Sequence, residues 1–125
     1  MRGITARASH GLLAITLSGA VAGAHAQSAQ HGQMLFETRC VACHSLDSNR
    51  VGPALRGVAV RPAGKAPGYS YSDAMAAATH VWNAERLKLW LTNPEGLVPG
   101  QKMNYRVDDP TDREDVVAYL VSVSH

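Results

Sequence analysis

Cys40-Val41-Ala42-Cys43-His44 places two thiols three positions apart, with an imidazole directly after the second. Cys-x-x-Cys-His is the pattern to which c-type haem is attached. The spacing has a geometric basis. On one helical turn the two thiols reach the vinyl groups of neighbouring pyrroles, and His44 presents its ring to the iron from the proximal side. Thioether bonds are not reducible as disulfides are, so they retain the haem where it would otherwise diffuse away.

Other uses of the pair are weighed on the same residues. A disulfide across so small a loop restrains little chain entropy. A zinc site needs two further ligands, and His31 and His80 are isolated in sequence. A thioredoxin-like redox pair wants a βαβ setting, which the chain does not suggest. A plain buried cysteine pair followed by a chance histidine is the bland alternative.

A sixth ligand is the second test. A thioether on the far haem face gives the low-spin His/Met iron of electron carriers. Of four methionines, Met1 is removed, and Met34 and Met75 fall in helical stretches where methionine serves as core filler. Met103 follows Pro99-Gly100-Gln101-Lys102 in an irregular loop, far enough along the chain to cross to the other face.

The elements that must position these groups are short. Residues 33–40 suggest a first helix carrying Met34, Leu35 and Phe36 towards a core. Ser70 and Asp73 form a capping-box start for a helix over 73–78, and Asn83 caps another in which Leu87, Trp90 and Leu91 share a face until Asn93-Pro94 stops it. Pro94 to Lys102 reads as loop. Thr111 with Glu114 starts a last helix with apolar pairs Val116/Leu120 and Val117/Val121. Such long loops in so small a chain imply a core supplied by something other than side chains.

At 125 residues there is room for one domain, expected over 27–125. Residues 1–26 read as a signal peptide: Arg2 and Arg7, an apolar stretch from Gly11 to Gly23, then Ala24-His25-Ala26. An uncleaved anchor is the alternative. Export to the periplasm fits haem attachment. The formal charge of +2 owes everything to Arg2 and Arg7, since the twelve bases less these two match the ten acids. Bases dominate up to Arg106 and acids after it, a dipolar arrangement suited to docking, with Lys65, Lys88 and Lys102 as candidate rim charges. No basic stripe interleaved with aromatics points to nucleic acid.

Several landmarks occur in order from Gly32 to Leu120: Gly32, Phe36, the CxxCH, Val51-Gly52-Pro53-x-Leu55-x-Gly57 and Arg61. They continue through 66–74, Trp82, Leu91-x-Asn93-Pro94, Pro99-Gly100-x-Lys102-Met103 and 113–120. The chain thereby resembles class I cytochromes c, in the branch shared by mitochondrial cytochrome c and bacterial cytochromes c2 and c550. The resemblance implies an all-α cytochrome c fold, short helices and loops wrapped around one covalent haem c, with the first and last helices crossing. It implies that Gly32 and Phe36 meet Tyr119 and Leu120 there. It further implies that the Pro53 carbonyl orients His44 and that Arg61, Tyr71 and Trp82 hold the propionates. His44 and Met103 are then the metal ligands, with no catalytic residue.

The implied activity is that of a periplasmic single-electron carrier. It would be a monomer working between redox proteins, membrane-bound respiratory complexes and dehydrogenases among them, without nucleic acid or a small-molecule substrate. An enzyme or gas sensor that releases Met103, and a dedicated subunit of one enzyme, are the other classes. Trp90, Met75, Gln101 and Tyr105 depart from the family pattern. Trp90 stands where relatives place a tyrosine on the methionine sulfur, so a drier Met face without that polar partner is expected.

Overall fold

The computed structural model describes Gly3 and residues 26–125; apart from Gly3 and Ala26, the expected leader lies outside the described residues. Five α-helices are joined by long loops: α1 (Ala29–Leu35), α2 (Asp73–Ala76), α3 (Ala84–Thr92), α4 (Pro94–Leu97) and α5 (Pro110–Ser122). A π-helical turn, Phe36–Cys40, continues α1, and a 3₁₀ turn spans Val58–Val60. Among the described residues the only β-pairing is an isolated antiparallel bridge between Pro62 and Val81.

Caps fix where the helices begin. Asn83 Oδ1 accepts the Arg86 N–H at 2.9 Å, as its position suggested. Two other starts fall elsewhere than expected. Ser72, not Ser70, caps α2 through the Met75 N–H at 3.2 Å, its own backbone extended as a cap requires. Asp109, not Thr111, caps α5 through the Asp112 N–H at 2.9 Å. Pro110 suits the first helical position, so the residue before it becomes the cap. The same rule corrects the loop expected from Pro94. Asn93 ends α3 and caps α4 through the Gly96 N–H at 3.2 Å, with Pro94 as the first residue of the new helix.

The chain ends are packed together. Gly32, Leu35 and Phe36, at i, i+3 and i+4, form the buried stripe of α1 and its continuation, which leaves Met34 between them 59% exposed rather than in the core. Phe36 lies against Tyr119 with ring centroids 5.4 Å apart. A Cβ on Gly32 would overlap the Asp115 carbonyl and come within 3.0 Å of the Tyr119 Cβ, so this crossing tolerates only glycine. Beside it the Asp115 carboxylate, 1% exposed, accepts the Ser28 N–H at 2.7 Å and His31 Nδ1–H at 2.8 Å. On α3, Leu87, Trp90 and Leu91 are buried together as their spacing suggested.

Gly32→Ala should destabilise the fold by about 1–3 kcal/mol, the usual cost of forcing a group into a filled contact. Chemical denaturation of the haem-loaded protein measures this, with the CxxCH and its haem content unchanged.

Candidate functional site

Between the helices lies a cavity of about 570 Å³, within the range of cofactor pockets. Cys40, Cys43, His44, Pro53, Arg61, Tyr71, Trp82 and Met103 all line it. Three stretches far apart in sequence therefore converge on one space, and none of the eight expected residues is left outside. Phe36, Val58, Leu87 and Leu91 make much of the remaining wall apolar.

His44 is held from both sides. Its Nδ1 donates to the Pro53 carbonyl at 2.8 Å. A carbonyl can only accept, so the proton sits on Nδ1 and Nε2 keeps its lone pair. Burial pushes the ring's pKa below its ordinary value, and the Pro53 carbonyl opposes this in part. A Cβ on Gly52 would overlap the imidazole, so glycine is what lets the ring occupy its place. The loop behind is stitched down: Gly52 N–H donates to Cys43 O at 2.8 Å, Asn49 Nδ2 to Pro67 O at 2.9 Å, and Tyr69 Oη to Val51 O at 2.6 Å.

The thiols differ. Cys43 is exposed, whereas burial pushes Cys40 up to about 11, with Arg39 opposing and Cys43 adding to the shift. A thiol so strongly protonated is a poor disulfide-exchange nucleophile, which weighs against a thioredoxin-like pair. Among the described residues no group of three His, Cys, Asp or Glu could hold a metal ion, so the zinc reading finds no ligand set.

Met103 brings a departure from expectation. Trp90 Nε1–H donates to its sulfur at 3.3 Å. The indole thus supplies the polar partner that exchanging tyrosine for tryptophan was expected to remove. Trp90 is itself fixed by Trp82, centroids 5.5 Å apart. Met75 is buried and lines the cavity.

Two wall atoms lack a protein partner: Arg61 Nε, a donor, and Gln101 Oε1, an acceptor. The Arg61 Nη2 is already bonded to Ala54 O at 2.9 Å, and Tyr71 Oη accepts the Ala66 N–H at 3.0 Å, which leaves the phenol proton to donate. Buried polar atoms of this kind call for partners on whatever fills the space. An apolar plate with a carboxylate edge and a central metal suits the apolar wall, the Arg61 and Tyr71 donors, and the free His44 and Met103 lone pairs. Gln101 stood out in the sequence only as a departure from the family pattern, and its buried oxygen now lines the cavity. The expected rim changes too: Lys65 and Lys88 lie off the cavity, Lys88 bonding Glu85 at 2.7 Å and Glu114 at 3.3 Å, which leaves Lys102 and the Asp112-paired Arg39 at its edge.

Comparison with known proteins agrees with this geometry. The Cytochrome c family model matches residues 29–124. Cytochrome c of Kluyveromyces lactis is 39% identical over 98 residues, covering 75% of this chain and 89% of that protein. Cytochrome c2 of Rhodopila globiformis is 42% identical over 92 residues, 71% and 87% of the two chains. The solved structure of cytochrome cH from Methylobacterium extorquens superposes with a TM-score of 0.72 at 40% identity, covering 76% of this chain and 98% of its own. With the fold, the cavity and these relatives in agreement, the chain belongs to the cytochrome c family of haem-containing electron carriers and carries one covalent c-type haem.

Proposed function

We propose that the chain is a periplasmic single-electron carrier, exported by a leader over residues 1–26, whose haem is bonded through Cys40 and Cys43 and ligated by His44 and Met103. The observation that carries this reading is the preparation of two donor atoms that line the same cavity. Pro53 fixes the His44 tautomer that leaves Nε2 free, and the Trp90 N–H takes one side of the Met103 sulfur. A thioether sulfur has two lone pairs, so the second remains for a metal. With His44 and Met103 both bound to it, the iron would have no open site for substrate, which favours electron transfer over catalysis. Arg61, Tyr71 and Trp82 are assigned to the propionate edge.

Redox proteins, respiratory complexes and dehydrogenases among them, are the proposed donor and acceptor, met by a monomer. No carboxylate lines the cavity, while Lys102 stands at its exposed edge and Arg39, paired with Asp112 at 2.9 Å, lies beside it. Such an edge steers an acidic partner surface toward the haem.

Acidified solvent should leave the haem on the purified protein, and the oxidised form should carry the thioether–iron absorption band, with Met103→Ala abolishing it. Extractable haem, or a band that survives Met103→Ala, would refute the assignment. The Trp90 bond has its own signature. Donation to sulfur weakens its electron donation and favours the ferrous iron, so Trp90→Phe should lower the reduction potential by roughly 20–60 mV, the one-electron equivalent of a single modest hydrogen bond. Voltammetry of the two proteins measures it.

A further inference from the structure

The backbone of the segment carrying Met103 is tied only at its ends, and between them the Trp90 N–H holds the Met103 sulfur. Among the described residues, 102–106 form no backbone–backbone hydrogen bond. On the far side, Val107 N–H donates to Leu91 O at 2.9 Å and Arg113 Nη1 to Val107 O at 2.6 Å. On the near side, Gln101 N–H donates to Val98 O at 3.1 Å and closes a turn in which Gly100 has φ of 90°. A turn of this kind leaves the N–H of its third residue without a partner inside the turn.

Glu95 supplies that partner. Its Oε1 accepts the Gly100 N–H at 2.9 Å, and its Oε2 accepts from Gln101 Nε2 at 3.2 Å. Both bonds are charge-assisted, and both link α4 to the turn. The backbone of Glu95 is itself fixed, since it lies in the first turn of α4 behind the Asn93 cap and the buried Pro94. An ionised carboxylate only accepts, so it also dictates the amide orientation: the nitrogen of Gln101 faces Glu95 and its oxygen faces the cavity. Among the described residues no ion pair draws Glu95 elsewhere.

We propose that Glu95 is a positioning residue for the sixth ligand: by strapping Gly100 and Gln101 to α4 it holds Met103 over the cavity. The role rests on the Met103 ligation proposed above. Without the strap, the near end of the segment is anchored only by its turn, and the state with Met103 detached gains population.

Imidazole, which competes with the thioether for ferric iron, reads that population directly, because its apparent affinity scales with the competent fraction. In the oxidised holoprotein, Glu95→Ala should tighten imidazole binding about tenfold, and Gly100 amide exchange should accelerate by a similar factor. Glu95→Gln keeps an acceptor for the Gly100 N–H and should restore both to within about threefold of the native values. Unchanged exchange on the α5 amides verifies that the fold is intact. The proposal is overturned if Glu95→Ala leaves Gly100 exchange unaltered, or speeds it without changing imidazole affinity. A native protein lacking the thioether–iron band would instead remove the ligation itself, before any variant is compared.

Discussion

The cavity of about 570 Å³ lies inside the apolar cluster of Phe36, Trp82, Leu87, Trp90, Val116 and Leu120, so helices of 4 to 13 residues pack around a space rather than on a solid centre. Extending the cost found for small core voids, ~24 cal/mol per Å³, to this volume gives on the order of 14 kcal/mol. That figure is an upper bound, since the cavity mouth admits water, yet it equals the whole folding free energy of an ordinary domain. The haem is therefore as much a structural element as a redox centre. Long loops, irregular turns and unpaired wall atoms follow from wrapping a chain around it.

The two residues proposed as axial ligands are prepared by different means. His44 depends on local chain: the thiols lie just before it, and Gly52 and Pro53 return within nine residues to clear space for the ring and set its tautomer. Met103 depends on distant chain, through an indole on α3. The proximal side thus resembles a rigid bracket and the distal side a hinged arm. Family membership leaves the identity of the sulfur's donor open, and here a Trp stands in that place.

Features coded within a few residues were legible from sequence. The CxxCH, the cap at Asn83 and the buried face of Leu87, Trp90 and Leu91 needed no tertiary context. The family landmarks carried the rest of the cavity wall, because Arg61, Tyr71 and Trp82 are distinctive only by their order. Errors arose where two local signals competed. Thr111 with Glu114 matches a capping box, but Pro110 moves the helix start to its own position and hands the cap to Asp109. Met34 sits among apolar neighbours, yet Gly32, Leu35 and Phe36 already fill the inward stripe. Lys88 seemed a rim charge until folding brought it to Glu85 and Glu114. Trp90 was misjudged by substitution logic, which saw a lost hydroxyl and overlooked the indole N–H. The orphaned oxygen of Gln101 depends on Glu95 across a turn, and no spacing rule foretells it.

The seam between α1 and α5 has a bearing on timing. The bond from His31 to Asp115 joins residues 84 apart, and Phe36 meets Tyr119 across a similar span. A chain leaving the ribosome cannot close this seam until Asp115 and Tyr119 have emerged. Contacts so distant carry the entropy of closing a long loop. Until then Cys40, Cys43 and His44 lie in a chain whose first and last helices have not met. The seam is a clasp that can shut only long after the attachment motif has been made.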